Sequence, residues 1–175
     1  MTWKIVSDSG CDYRELEDIA LETSFESVPL TIQVGEEVFI DNAALDIDTM
    51  MDKMYATSTA SKSACPSPDD YLQAFAGADN IFVVTITGTL SGSHNSAQVA
   101  KKLYLEENPN VNIHVIDSLS AGGEVDLIVS GAAGQVFAPC AVLLGFCRRV
   151  GFDGIRRSVC LRHSVFRRRG NGQVI

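Results

Sequence analysis

Three short apolar segments of this chain each end in a turn that is rich in hydroxyl, carboxyl and glycine residues. The segments and the turns that follow them are residues 3–6 and 7–12, 80–84 and 85–97, and 112–116 and 117–123. Apolar strands that alternate with helical patterns are typical of a parallel sheet with right-handed crossovers. The pattern therefore predicts an α/β fold, a three-layer αβα domain with a mostly parallel sheet. Its turns are expected to gather at one edge, where such sheets bind ligands.

A β-hairpin is predicted to leave this sheet. Residues 26–34 and 37–41 are rich in β-forming side chains, and they flank the dipeptide Gly35-Glu36. Glycine at the first position of a two-residue connection suits a type II′ hairpin turn. The hydroxyl-rich segment at residues 57–67 has no periodicity and is predicted to be a loop.

Capping residues mark the predicted helices. Asp12 has the spacing of a capping box and predicts a helix to about Glu22. Residues 46–55 predict a second capped helix with an apolar stripe. Ser67 followed by Pro68 predicts the start of a third helix, because proline is favoured at the first helical position.

Charge is distributed unevenly along the chain. Residues 1–129 contain 21 acidic and six basic residues, a net charge of −15, whereas residues 130–175 contain one acidic residue and eight arginines, a net charge of +7. The second segment also has no helical or strand period. We therefore expect one α/β domain over residues 1–129, followed by an atypical arginine-rich tail that is non-native or disordered. Because the tail lacks lysine and contains apolar and cysteine residues, no nucleic-acid partner is expected.

Other protein classes are excluded by composition. No apolar run reaches the roughly 18 uncharged residues that a membrane span needs, and the N-terminal residues begin a strand and not a signal peptide. The five cysteines are irregularly spaced and form no Cys-x-x-Cys pair. We expect a cytoplasmic protein with no integral membrane contact, no metal site and no cofactor.

The turn at residues 85–97 joins a strand to a helix and is the main candidate for a ligand site. Backbone N–H groups and the positive end of a helix dipole favour an anion at such a turn. Ser91 occupies the place of a nucleophile, but the segment from Gly88 to Gly92 lacks the Gly-x-Ser-x-Gly spacing of serine hydrolases. His94 lies at the start of the same helix and is typical of a surface or capping histidine. These residues do not favour a catalytic serine.

Two kinds of anionic ligand stay open at this point. Residues 85–89 resemble the hydroxyl-and-glycine loops that hold flavin mononucleotide phosphate, which would indicate a flavin- or phosphate-ligand-binding α/β enzyme. However, Leu90 supplies no hydroxyl, no paired aromatic residues flank the segment, and the chain has neither a Walker loop nor Gly-x-Gly-x-x-Gly. The alternative is a carboxylate held by hydroxyl and N–H groups, with an apolar remainder buried by the protein.

Four segments together resemble the DegV family. They are residues 7–12, the Ser63-Ala-Cys-Pro-Ser67 loop, Leu90-Ser-Gly-Ser with Asn95-Ser-Ala97, and Ile116-Asp-Ser with Gly122 and Gly123. Their order and spacing make the resemblance specific, and it extends over about residues 3–129. A DegV-like N-terminal domain is therefore expected.

The resemblance implies a bacterial fatty-acid-binding protein and not an enzyme. Such a carrier holds a long-chain fatty acid by its carboxylate and presents it to a separate fatty acid kinase, which makes the acyl phosphate for phospholipid synthesis. By this resemblance, the carboxylate is held by hydroxyl and backbone N–H groups at Ser63, Ser91 and Gly92. The residues of the supporting loops are Asp8, Ser9, Ser67, Ser93, Asp117 and Ser118.

The chain departs from the family pattern in two places. Ser63-Ala64-Cys65 stands where the family has Thr-Ser-Gln, so only the first position keeps a hydroxyl. Residues 130–175 match no part of the family's second domain, which closes over the acyl chain and contributes a histidine to the carboxylate. Burial of about fifteen methylenes contributes roughly 12 kcal/mol, against about 1.5–3 kcal/mol for each charged hydrogen bond. We therefore expect an open pocket and weak or no binding of fatty acid by this chain.

Overall fold

The computed structural model describes residues 1–16 and 19–135 of the chain. The described residues form seven strands and four helices. In chain order these are β1 (Trp3–Asp8), β2 (Thr23–Val28), β3 (Thr31–Val34), β4 (Glu37–Ile40), α1 (Ile47–Ala56), β5 (Lys62–Ala64), α2 (Pro68–Ala74), β6 (Asn80–Thr85), α3 (Ser93–Glu107), β7 (Asn112–Asp117) and α4 (Gly123–Gln135). Helix α4 crosses residue 129, the predicted end of the domain. From residue 136 onward, the predicted tail lies outside the described residues.

A parallel sheet of four strands, in the order β2-β1-β6-β7, forms the centre of the fold. Trp3 of β1 lies beside Thr23 of β2 on one side and Asn80 of β6 on the other. Strand β6 is buried along its length except at Phe82, which is half-buried. A strand that is covered on both faces is a near-continuous apolar run, as residues 80–84 are. The sheet confirms the predicted mostly parallel α/β fold.

Helices cover both faces of this sheet. Helices α2 and α3 pack on the face that carries Val6 and Val83, whereas α4 packs on the face that carries Ile5 and Val84. Neighbouring residues alternate between the faces because successive side chains of a strand point to opposite sides. Full burial of such a side chain contributes about 1.5–3 kcal/mol, so both apolar layers hold helices on the sheet. The arrangement confirms the three-layer αβα architecture.

A second, antiparallel sheet has three strands in the order β4-β3-β5. Strands β3 and β4 form a hairpin with Thr31 opposite Ile40. Gly35, the first residue of their two-residue connection, has φ +62°, a value that glycine adopts without strain. The predicted hairpin with glycine at its first turn position is therefore confirmed.

Two strand boundaries differ from the prediction. The strand predicted at residues 26–34 is divided at Pro29: residues 26–28 belong to β2 in the parallel sheet, and residues 31–34 form the hairpin. Proline has no N–H for a strand ladder, which explains the division. The loop predicted at residues 57–67 is wrong at β5, which pairs with β3. Strand β5 has only three residues, all of them exposed, so its sequence shows no alternation of buried and exposed side chains. It forms a strand because it pairs with β3.

The helix predicted over residues 12–22 is wrong for the described part of that segment, which contains no helical residue. The Asp12 N–H donates to the Asp126 carboxylate at 2.8 Å. The Arg14 guanidinium donates to the Asp41 carboxylate at 2.7 Å. These bonds to distant residues fix the segment in bends, and they outweigh the local capping signal because helix propensity is a weak preference.

The predicted caps of α1 and α2 are both present. The Asp46 carboxylate accepts from the Thr49 N–H at 3.1 Å. At α2, the Ser67 hydroxyl accepts from the Asp70 N–H at 3.3 Å, and the Asp70 carboxylate accepts from the Ser67 N–H at 2.8 Å. Pro68 is at the start of the helix. The reciprocal capping box satisfies two N–H groups at the start of α2. With the Asp46 cap of α1, both predicted helix starts are confirmed.

Candidate functional site

The turn between β6 and α3 lies at the carboxyl edge of the parallel sheet. Helix α3 begins at Ser93, and its N-cap is Gly92, which has no side chain to bond the first N–H groups of the helix. The first turn of α3 also contains no acidic residue. A helix N-terminus whose partial positive charge meets no acidic side chain of its own first turn favours an anionic ligand. The start of α3 therefore offers backbone N–H groups that could donate to an anion.

Ser91 lies half-buried in this turn. Its Oγ accepts from the Ser93 N–H at 3.2 Å, and its own N–H donates to the Thr87 carbonyl at 3.1 Å. A serine hydroxyl has one proton to donate and two lone pairs to accept with. Ser91 can therefore donate its hydroxyl proton to a carboxylate and keep its bond to Ser93.

A buried carboxylate lies beneath the turn. Asp8, at the end of β1, has no exposed surface. Its Oδ2 accepts from the Ile86 N–H at 3.0 Å and from the Ser93 hydroxyl, and its Oδ1 accepts from the Gly10 N–H at 3.2 Å. The Tyr71 hydroxyl lies 2.6 Å from Ser93 Oγ. These groups form one polar network inside the layer of α2 and α3.

The ionisation of this network is set mainly by burial. Desolvation raises the pKa of the Asp8 carboxyl above its ordinary value, although the hydrogen bonds from Ser93, Ile86 and Gly10 favour the ionised form. Desolvation also raises the pKa of the Tyr71 hydroxyl, and the nearby Asp8 charge raises it further. Tyr71 therefore keeps its proton at neutral pH and can donate it to Ser93.

The loop that contains Ser63 approaches the Ser91 turn through Cys65. A Cβ atom added to Gly92 would lie 2.9 Å from Cys65 Sγ, so glycine at residue 92 allows the close approach of the two segments. Ser63 lies in β5 opposite Ile32 of β3, and it is exposed. The structure therefore brings together the two segments that carry the predicted carboxylate contacts.

The turn after β7 is bonded to the turn after β6. The Asp117 carboxylate accepts from the Gly88 N–H at 3.2 Å. The buried Ser118 hydroxyl donates to the Ser120 carbonyl at 3.0 Å, and the same carbonyl accepts from the Thr87 N–H at 2.8 Å. Asp117 and Ser118 thus hold the two turns together.

The remaining two supporting residues act on neighbouring elements. Ser9 Oγ accepts from the Leu30 N–H at 2.9 Å, which fixes the chain just beyond β2. Ser67 uses both its hydroxyl and its N–H in the capping box of α2. The structure therefore gives Ser9 and Ser67 local structural bonds, whereas it places Asp8 and Ser93 directly beneath the Ser91 turn.

Two further side chains lie near the site. His94 is half-buried, with Nδ1 3.3 Å from Thr85 Oγ1 and Nε2 3.4 Å from Gln98 Nε2.

Tyr71 was not among the predicted site residues. Its place on α2, one turn after the Ser67 cap, is a signal for a core aromatic residue, but helical spacing alone does not reveal that its hydroxyl meets Ser93.

Two further features of the described residues concern metal binding and the Cys11 thiol. Among them, no group of three or more His, Cys, Asp or Glu side chains could hold a metal ion. Burial, followed by a hydrogen bond with Asp126, raises the pKa of the Cys11 thiol to about 12, so it stays protonated at neutral pH. No helix in this part of the chain has the length and apolar character to cross a membrane.

The protein families and sequences that match this chain all point to the same family. The model of the DegV family of uncharacterised proteins matches residues 2–136. A DegV domain-containing protein from Streptococcus gordonii is 88% identical over 129 residues, which are 74% of this chain and 46% of that protein. One from Streptococcus pneumoniae is 74% identical over 129 residues with the same coverage. The chain thus spans about half the length of the curated relatives it matches.

Solved structures share the fold. The Streptococcus pneumoniae Fatty Acid Kinase (Fak) B3 protein loaded with linoleic acid is 64% identical, with TM-score 0.79 over 85% of this chain and 54% of that chain. A DegV family protein from Eubacterium eligens loaded with heptadecanoic acid is 41% identical, with TM-score 0.72 over 77% of this chain and 48% of that chain. Because the family model matches well over half of its residues, this chain belongs to the DegV family.

Proposed function

We propose that this chain is the N-terminal lobe of a fatty-acid carrier. It holds a long-chain fatty acid by its carboxylate, with hydrogen bonds from Ser63, Ser91 and the Gly92 N–H. It then presents the carboxylate to a separate fatty acid kinase, which forms the acyl phosphate. In this role the chain binds and positions its ligand and is not the catalyst.

One observation carries this proposal: two hydroxyl-bearing segments meet at the start of α3. Cys65, two residues after Ser63, lies against Gly92, the residue after Ser91. We infer that hydroxyl and N–H donors from both segments bind one anion. A carboxylate accepts several hydrogen bonds through its two oxygens, and each such charged bond contributes about 1.5–3 kcal/mol.

The solved relatives support a fatty acid as that anion. The similar proteins from Streptococcus pneumoniae and Eubacterium eligens are loaded with linoleic acid and heptadecanoic acid, each a carboxylate with a long apolar chain. This chain covers 54% and 48% of those two proteins. We therefore assign the head-group contacts to the described lobe and expect most of the acyl-chain contacts to come from outside it.

An NMR titration tests the head-group contacts. Isotope-labelled protein is titrated with octanoate and, separately, with 1-octanol, which has the same carbon chain but no charge. We expect octanoate to shift the backbone amide signals of Ser63, Ser91 and Gly92 in a saturable way. Octanol is expected to leave them nearly unchanged, because charged acceptors form the stronger hydrogen bonds.

Two serine variants sharpen this test. Ser91→Ala removes one donor and is expected to weaken octanoate binding by about tenfold. Ser96→Ala is the matched control, because Ser96 lies on the same helix beyond the turn. Equal losses in both variants, or no octanoate-specific shifts in the wild type, would contradict the proposal. Shifts with inorganic phosphate in place of octanoate would favour the flavin- or phosphate-binding alternative.

The kinase step needs a separate assay. A full-length relative such as the Streptococcus gordonii protein, which carries a lobe 88% identical to this one, is mixed with a purified fatty acid kinase, ATP and oleate. Hydroxylamine converts acyl phosphate to a hydroxamate, which is measured. We expect hydroxamate only when carrier and kinase are both present. Because the kinase consumes ATP, we expect this transfer to take place in the cytoplasm. If the relative formed hydroxamate without the kinase, it would itself be an enzyme, and the carrier role would be contradicted.

A further inference from the structure

Asp8 is the one charged side chain among the described residues that is fully buried. None of the ion pairs in that part of the chain involves it. A buried carboxylate without a cation is costly unless hydrogen bonds compensate its charge, and here Ile86, Ser93 and Gly10 each donate one. An apolar side chain would carry no such cost. The placement therefore indicates a role for Asp8 beyond filling space.

The hydrogen bonds of Asp8 lead directly to the proposed ligand contacts. The Ser93 hydroxyl donates to Asp8, and the Ser93 N–H donates to Ser91 Oγ at 3.2 Å. Ser93 also follows Gly92 directly in the sequence, so the position of Ser93 determines where the Gly92 peptide group lies. Asp8 is thus two hydrogen bonds away from the Ser91 hydroxyl.

Tyr71 fixes the direction of the bonds in this network. Ser93 has one hydroxyl proton, which is used in the bond to Asp8. The Tyr71 hydroxyl, 2.6 Å from Ser93 Oγ, must then be the donor of that bond. The order of donation runs from Tyr71 to Ser93 to Asp8, which holds Ser93 from two sides.

We propose that Asp8 is a positioning residue of this site: through the Ser93 hydroxyl it holds the Ser91–Ser93 turn in the geometry that binds a ligand carboxylate. This assignment rests on the proposed function and concerns a residue that does not touch the ligand itself. Asp8 aligns the Ser91 hydroxyl and the Gly92 N–H, and these two groups donate to the ligand carboxylate.

A double-mutant cycle on octanoate binding tests this role. We expect Asp8→Asn and Ser93→Ala each to weaken octanoate binding to the whole chain by about tenfold, the factor expected when one charged hydrogen bond is misplaced. The double variant is expected to bind no more weakly than either single variant, because Asp8 acts through Ser93. Additive losses in the double variant would contradict this role. Tyr71→Phe keeps the Asp8–Ser93 bond and is expected to lose less.

The amide shifts at saturating octanoate separate positioning from simple destabilisation. A destabilised variant has less folded protein, but in its folded fraction saturating octanoate moves the Ser91 and Gly92 amide signals from their ligand-free positions by the same amount as in the wild type. A misplaced turn alters the size or direction of these octanoate-induced changes, which is the result we expect for Asp8→Asn. If Asp8→Asn does not fold, Ser93→Ala carries the test, since the same altered shifts are expected.

The possible outcomes separate the two proposals. If the wild type shows octanoate-specific shifts and Asp8→Asn binds octanoate equally well with the same shifts, Asp8 has no positioning role and the proposed function stands. If the wild type shows no octanoate-specific shifts, the fatty-acid function fails, and the role of Asp8 fails with it.

Discussion

The two segments proposed to hold the ligand carboxylate are built in different ways. The Ser91 turn rests on Asp8 and Ser93, neither of which has exposed surface, within the layer formed by α2 and α3. Ser63 belongs to the small antiparallel sheet, where Val38 is 62% exposed. One segment is fixed by a buried polar network, and the other by a three-stranded sheet with few buried side chains.

This difference has a consequence for binding. Displacing the Ser91 turn breaks several buried hydrogen bonds together, whereas opening the small sheet exposes little additional apolar surface. We therefore expect the Ser91 turn to define where the carboxylate sits. The Ser63 segment is expected to adjust to the ligand.

The largest contrast is expected between two phenylalanines. Phe75 is fully buried after α2 and packs edge-on against Tyr104, with ring centroids 5.7 Å apart. Phe75→Ala should lower the free energy of unfolding by about 3–5 kcal/mol. Phe39 of β4 is half-buried beside Lys53, and Phe39→Ala should cost roughly 1 kcal/mol, because less apolar surface is lost. Denaturant unfolding of both variants measures the difference, and equal losses would remove the contrast between the regions.

A smaller effect is expected where the two segments touch. Gly92→Ala places a methyl group 2.9 Å from Cys65 Sγ, and such overpacking typically costs about 1–3 kcal/mol. Cys65→Ala in the same chain removes the sulfur and should recover most of the loss. Unfolding free energies of the single and double variants measure this recovery. If Gly92→Ala alone leaves stability and octanoate binding unchanged, the two segments do not meet as described.

Loss of the α2 cap should have a comparable but more local effect. Ser67→Ala removes the hydroxyl that accepts from the Asp70 N–H, and loss of an N-cap side chain typically costs about 1 kcal/mol. Ser61→Ala is a suitable control, since Ser61 is an exposed serine before β5. Hydrogen exchange should increase at the start of α2 in the Ser67 variant. Unchanged exchange there would show that the capping box contributes little.

The pH dependence of stability tests whether desolvation or hydrogen bonding has the stronger effect on the pKa of the Asp8 carboxyl. Because its pKa is raised on folding, the folded chain binds more protons than the unfolded chain between the unfolded value of about 4 and the folded value. The stability that Asp8 contributes should therefore decrease as pH rises through this interval. Measuring the unfolding free energy of wild type minus Asp8→Asn across pH cancels the other carboxyl groups. A difference that increases with pH would mean that the hydrogen bonds outweigh desolvation.

Much of the fold could be predicted because its signals are local. The apolar run at residues 80–84, the glycine at Gly35 and the cap at Ser67 each identify an element from adjacent residues. The end of each parallel strand also predicts the edge at which the turns gather. Membership of the DegV family followed from four such segments in order.

The remaining features depend on residues that are distant in sequence. The described part of the segment after Asp12 is not helical, because Arg14 is bonded to Asp41 and the Asp12 N–H to Asp126. Both partners are distant in sequence. Strand β5 exists through its pairing with β3. The Tyr71–Ser93–Asp8 network joins two helices and a strand, so the spacing within any single element does not predict it. The carboxylate contacts at Ser63 and Ser91 are still a prediction.

A crystal structure of the chain with octanoate would test the central claim most directly. We predict a carboxylate at the start of α3, within hydrogen-bonding distance of the Ser91 hydroxyl, the Gly92 N–H and the Ser63 hydroxyl, with Ser93 still bonded to Asp8. Octanoate bound elsewhere, or bound at this turn with its carboxylate turned away from Ser91, would contradict the claim.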